Sequence, residues 1–227
     1  MTSLVSLVAV VLAILTTSPS APAPTQDAPA KEIARQGAPY LLDVCPVSGE
    51  PLPKDGGVVL VFDGGGDALQ AGREFRFCCK RCKAAFEKDP KKFIKAADER
   101  IIADQLPRYP KTATCLVMTD EVLPDPTGPD AKDCKLVVVR NRLVRLCCGK
   151  CVRAFERDPA KFLPALDEIV IAEARAAGTQ KTCPISEKGL DAKSTWFVVA
   201  DRAVGTCCGG CKRKIEKDPR KYLARGS

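Results

Sequence analysis

The chain has 227 residues, 36 Lys and Arg against 28 Asp and Glu for a net charge of +8, 13 cysteines and no histidine. Without histidine there is no imidazole base, no catalytic triad built on one, and no nitrogen ligand of that kind for a metal. Aromatic residues are only 5 % and do not interleave with the basic ones, so nucleic-acid binding is not expected despite the charge.

The chain opens with an uncharged apolar run from Leu4 to Leu15, followed by small residues and prolines through Ala21 and Ala23. This predicts a signal peptide over 1–22 and export, to a periplasm or outside the cell. The run is shorter than the roughly 20 residues that span a bilayer, so an uncleaved anchor is the lesser alternative and no stable span is expected after cleavage. Residues 23–38, rich in Ala and Pro, read as a linker.

One pattern then occurs three times: Cys-Cys-x-x-Cys, an apolar residue four positions on, Glu, a basic residue, Asp-Pro, and Lys before an aromatic. A repeat of this spacing means three copies of one small module, at 39–106, 107–177 and 178–227. Units of this size bury too little to be held by a core alone and usually need a disulfide or metal staple.

Module one begins with Cys45 in a turn, Cys45-Pro46-Val47-Ser48-Gly49. Val58–Phe62 and the alternating Arg73–Phe77, separated by Gly64-Gly65-Gly66, predict a β-hairpin. The knuckle Cys78-Cys79-Lys80-Arg81-Cys82 opens a helix carrying Phe86 as core. Asp89-Pro90 then starts a second helix, with Asp as N-cap and Pro in the first turn. Module two repeats this order with Cys115, strands at Leu136–Val139 and Leu143–Leu146 about a turn at Asn141, then Cys147, Cys148 and Cys151. Its helix carries Phe155, and Asp158-Pro159 caps the next. Module three has Cys183, a strand from Trp196 to Val199, a turn at Asp201-Arg202, a second strand at Ala203-Val204, then Cys207, Cys208 and Cys211. Ile215 and Asp218-Pro219 close it. The fold class is therefore small α+β, three tandem modules of cysteine turn, β-hairpin, cysteine knuckle and helices.

Four cysteines per module account for twelve; Cys134, private to module two, is the thirteenth. The metal-ligand candidates are Cys45, Cys78 and Cys82, Cys115, Cys147 and Cys151, and Cys183, Cys207 and Cys211. Cys79, Cys148 and Cys208 are fourth ligands or exchange thiols. Lys80, Arg81, Lys83, Lys150, Arg153 and Lys212 to Lys214 flank them, where cations favour thiolate. Three four-thiolate sites, each holding a divalent ion, would also offset most of the net charge.

The order of turn cysteine, hairpin and cysteine knuckle opening a helix is that of a treble-clef zinc finger. Over residues 40–225 the chain resembles the TRASH and YHS families, MYM-type zinc-finger-like modules associated with metals. The resemblance rests on Phe77-Cys78-x3-Cys82, Phe86, Asp89-Pro90 and Phe93, and on their counterparts in the other two copies. It implies binding of zinc or heavy metals in sensing, trafficking or resistance. The chain departs from those families in having Ser48, Met118 or Ser186 where a second turn cysteine is common.

Soft sulfur ligands select zinc or copper(I) over magnesium or calcium, so the leading expectation is an exported thiolate metal-binding protein. Its partners would be metal ions and a protein in metal transfer. The alternative is a structural or interaction protein stapled by disulfides, since exported cysteines meet an oxidising compartment. A thiol–disulfide oxidoreductase using Cys79-x-x-Cys82 ranks below both. No catalytic or organic-cofactor residues are expected, and the chain reads as a non-enzyme.

Overall fold

The computed structural model describes residues 33–111 and 113–223. The expected signal peptide and residues 23–32 of the expected linker thus lie outside the described residues. All those described belong to one compact unit.

Three antiparallel hairpins are present among the described residues, each a separate two-stranded sheet. β1 (Val58–Phe62) pairs with β2 (Arg73–Phe77), β3 (Lys135–Val139) with β4 (Arg142–Leu146), and β5 (Thr195–Val199) with β6 (Arg202–Thr206). The turns differ for chemical reasons. Arg140 and Asn141, between β3 and β4, have φ of 46° and 70°, the left-handed pair that a two-residue hairpin turn requires. In module three the turn falls one residue earlier than expected. Ala200 takes the left-handed place at φ 57°, and Arg202 already belongs to β6. In module one a longer loop replaces the tight turn, with Gly64, Gly65 and Gly66 all at positive φ.

Each hairpin is followed by two helices: α1 (Lys80–Lys88) and α2 (Pro90–Gln105), α3 (Gly149–Arg157) and α4 (Pro159–Ala177), α5 (Gly209–Lys217) and α6 (Pro219–Leu223). The aspartate between them does two jobs. Asp89 ends α1, its backbone N–H donating to Ala85 and Phe86, and its carboxylate accepts from the Lys92 N–H at 3.3 Å to begin α2. Asp158 and Asp218 do the same for Lys161 and Lys221. A cap of this kind contributes about 1 kcal/mol.

Phe86, Phe155 and Ile215 are fully buried and anchor their modules. In module one Phe86 meets an aromatic cluster, 4.6 Å from Phe75, 5.3 Å from Phe77 and 5.5 Å from Phe62 between ring centroids. Module two uses aliphatic side chains, Leu143, Val144, Leu146 and Leu166, around Phe155. Module three has the smallest core, Phe197, Val199, Val204 and Ile215.

The second helix of one module packs on the hairpin of the next, α2 on β3 and β4, and α4 on β5 and β6. At the first junction the contacts are polar and buried. Gln105 closes the β3–β4 turn, donating to the Asn141 carbonyl at 2.9 Å and accepting from the Leu143 N–H at 2.7 Å. The Asn141 side chain accepts from Arg73 Nε at 2.7 Å and donates to the Glu74 carbonyl at 2.7 Å. At the second junction Arg108 pairs with Asp201 at 2.7 Å, and just past α4, within module three, Gln180 exchanges two hydrogen bonds with Gly205. From α6, Arg220 returns to module one, donating to the carbonyls of Tyr40 and Leu42 and pairing with Asp43 at 2.8 Å. Residues 36–38, expected in the linker, are held in place. The N–H of Gln36 donates to Gly72 and that of Ala38 to Arg140.

Candidate metal centres

The first cysteine of each module sits in a tight turn closed by an isolated bridge, Val44 with Pro51, Thr114 with Val122, and Thr182 with Gly189. The Cys45 N–H donates to Glu50 and its carbonyl accepts from Gly49, which pins the turn. Arg100, reaching back from α2, adds a 2.8 Å hydrogen bond to the same carbonyl. Cys78 follows directly on β2, and Cys82 lies in the first turn of α1. Hairpin end, helix start and turn therefore converge on one point.

At that point Cys45, Cys78 and Cys82 bring their sulfurs within 4.8 Å of one another, as do Cys115, Cys147 and Cys151, and Cys183, Cys207 and Cys211. Among the described residues these three groups, and no others, gather three potential ligands so closely. Individual separations are 3.5 Å for Cys78–Cys82, 3.5 Å for Cys147–Cys151 and 3.7 Å for Cys207–Cys211. Zinc–thiolate bonds of about 2.3 Å in a tetrahedron set neighbouring sulfurs about 3.8 Å apart, so the spacing fits an ion held between them. No disulfide joins any of the thirteen cysteines in this structure.

The second member of each vicinal pair stands outside its triad. Cys79 Sγ is 3.9 Å from Cys78 Sγ, and Cys148 Sγ is 3.6 Å from Cys151 Sγ. Cys79, Cys148 and Cys208 are the N-caps of α1, α3 and α5, with extended backbones. The sulfurs of Cys79 and Cys148 lie beside their triads, each in contact with one member, without joining the convergence of three. Cys208 is exposed and the other two half-buried.

Serines occupy part of the space the sequence left unassigned. Ser48 Oγ is 3.5 Å from Cys78 Sγ, and Ser186 Oγ is 3.2 Å from Cys207 Sγ. The signal for this contact was the C-x-x-S spacing, which sets the hydroxyl where a knuckle's second thiol would stand. In module two the position is Met118 and is exposed.

The thiols are not equivalent. Burial pushes Cys45 up, but N–H groups of Ser48, Cys78 and Val47 and the Ser48 hydroxyl outweigh it and bring it down to about 7. Cys183 follows the same pattern, burial opposed by the Ser186 hydroxyl and the Cys207 N–H, and falls to about 6. Cys115 is also lowered, its burial offset by N–H donors from Cys147, Met118 and Val117. Burial and neighbouring thiols push Cys82 and Cys211 up to about 12 and Cys151 to about 11. Cys147 is raised for the same reasons. Each triad thus joins one ready thiolate to at least one thiol that keeps its proton, because sulfurs this close resist sharing several negative charges.

Backbone N–H groups at the helix start lower the flanking thiols, Cys79 by way of Cys82, and Cys148 by way of Cys151, each to about 7. This corrects the expectation that flanking cations do so. Lys83 and Lys212 instead pair with Glu87 and Glu216 on their own helices.

Cys134 joins none of the triads. It is buried in the module-two core, where Arg145 Nη2 donates to its sulfur at 3.4 Å. No helix among the described residues is long and apolar enough to cross a membrane. No family model, no curated protein and no solved structure matches the chain.

Proposed function

We propose that this chain is an exported metal-binding protein that holds one thiophilic ion, zinc or copper(I), in each of three cysteine triads. The observation that carries the reading is the threefold convergence of cysteines from a turn, a hairpin end and a helix start, the first more than 20 residues before the other two in sequence, to within 4.8 Å. Core packing does not require such convergence, and its exact repetition in modules with different cores argues for a shared ligand. Sulfur-only donors favour soft ions. In this reading each module is a treble-clef finger of TRASH or YHS type, with the serine hydroxyl or a solvent molecule beside the three sulfurs. Cys79, Cys148 and Cys208 are hand-over thiols at the mouth of each site, the chain serves metal storage, transfer or resistance, and it is no enzyme.

The test is metal content by mass spectrometry together with a free-thiol count, on protein purified without reductant or chelator. Close to three ions per chain, lost one at a time in Cys82→Ser, Cys151→Ser and Cys211→Ser, is the expected result. Absence of metal with the cysteines paired as disulfides would replace this reading with that of a disulfide-stapled protein.

A further inference from the structure

A second candidate site lies away from the sulfurs, between modules two and three and the segment that precedes module one. A cleft of about 330 Å³ opens between the segment before module one, the β3–β4 turn with α4, and the β5–β6 turn with α5. That volume falls at the small end of the roughly 300–1,000 Å³ typical of ligand sites. Three arginines line it, Arg35, Arg140 and Arg142, against two carboxylates, Asp167 and Glu216.

Arg35 pairs with Glu74 and donates to the Gly37 carbonyl, but the other two arginines are not used up by the protein. Arg142 is nine-tenths buried and pairs with Asp167 through Nη1, yet its Nη2 is buried without a hydrogen-bond partner. The repeat supplies the comparison. Arg73, at the same strand position in module one, hydrogen-bonds Asn141 through Nε and Gln70 through Nη1, each at 2.7 Å, and its Nη2 lies 2.7 Å from the Asp98 carboxylate in an ion pair that makes no aligned hydrogen bond. Arg140 has no carboxylate partner among the described residues. Its Nη2 donates to the Ala68 carbonyl at 3.1 Å and its Nε is buried and unpaired. A buried donor left unmade costs about 1–3 kcal/mol, more when charged. Arg145 also has unpaired nitrogens, but it lies over the Tyr109 ring and away from this cleft. In the cleft, unmade guanidinium bonds of two arginines and open space occur together.

Arg140 is also a poor choice for its backbone. It takes φ 46° in a turn where Gly, Asn or Asp is favoured. Strain of this kind gathers where a side chain is needed in place. Gly37, at φ 72°, lets the preceding segment lie flat on it, since a Cβ there would come within 2.6 Å of the Arg140 Cβ.

We propose that this cleft binds a small oxyanion, the phosphate or carboxylate group of a small molecule, through Arg140 and Arg142. Guanidinium forks recognise both groups through paired charge-assisted hydrogen bonds.

The experiment is calorimetric titration of the full chain with inorganic phosphate and, separately, with succinate, at fixed ionic strength and matched metal content. One site per chain for either is expected, and the stronger of the two identifies the source of the oxyanion. Arg140→Gly removes the guanidinium but adopts the turn without strain, so it should melt no lower than the native chain when no anion is present. It should bind the anion at least about tenfold more weakly. The proposal is overturned by no saturable binding of either probe, by native affinity in Arg140→Gly, or by equal weakening in Lys91→Ala, a lysine outside the cleft.

Discussion

Acidification should empty the triads in a way the thiols themselves dictate. Thiolate is the ligand form, so every proton a site holds in the free state must leave when an ion enters. In module one Cys82, raised to about 12, is protonated throughout the neutral range, and Cys45, lowered to about 7, becomes protonated only below that. At least one proton is therefore displaced per ion between pH 9 and 7, and at least two below 7. By linkage, apparent affinity falls at least about tenfold per pH unit in the upper range and about a hundredfold in the lower. From pH 8 to pH 5 the loss at module one is on the order of 10⁵-fold. Module three, whose Cys183 keeps its thiolate down to about 6, should hold its ion to lower pH than module one. An ion that binds only the folded chain adds stability in step with its affinity, so the melting temperature should fall as pH falls. Competition with a chromogenic chelator at a series of pH values reads the slope directly. A change of less than tenfold between pH 8 and pH 5, with metal bound throughout, would refute thiol ligation as described here.

Other consequences concern single side chains. Asn141→Ala leaves Arg73 Nε buried and unpaired, removes the bond to Glu74 and strains a left-handed residue, so denaturant unfolding should show a loss of about 3–5 kcal/mol. Asn141→Gly, free of the strain, should lose about 1 kcal/mol less; a loss below 1 kcal/mol for the alanine would discredit the buried junction. Ser48→Cys places a thiol where the hydroxyl lies 3.5 Å from Cys78, and should tighten zinc binding at module one at least about tenfold in chelator competition. Unchanged affinity would mean that position 48 is not beside the ion. Cys148→Ser should keep the metal stoichiometry of the native chain while slowing transfer to a thiol competitor severalfold in stopped flow; an unaltered rate removes the hand-over role.

Where the sequence is periodic and local, it predicts the fold closely. β1 and β2 fall where the apolar and alternating runs place them, because a hairpin with one face on a core leaves its register in the residues. The Asp-Pro steps mark three helix starts because capping is a property of neighbouring residues. The grouping of Cys45, Cys78 and Cys82, and of their counterparts, was legible from the repeat, and these are the cysteines whose sulfurs converge. Where the fourth thiol stands was not legible: Cys79 is the N-cap of α1, on an extended backbone, and its sulfur stays outside the group of three. The module junctions were invisible in advance. Asn141 reads as a turn residue, yet its side chain bonds residues 67 and 68 positions earlier. The source of the lowered thiols was also hidden, since N–H groups carry no signature in composition, whereas the lysines beside them do.

The contact of Arg220 with Tyr40, Leu42 and Asp43 bears on how this chain could grow or shrink. Open stacks of repeats gain and lose copies readily, because each unit meets only its neighbours and the ends are free. Here the last helix is bonded to the start of the first module, and Leu41 packs into the core of the third. A fourth copy spliced between modules would have to part that contact or leave its own hairpin without a helix behind it. Deleting the middle copy would strand Gln105 and Arg73 without the Asn141 turn they serve. The copy number is thus a stereochemical property of the closure, and changes in capacity must come through the donors within each module.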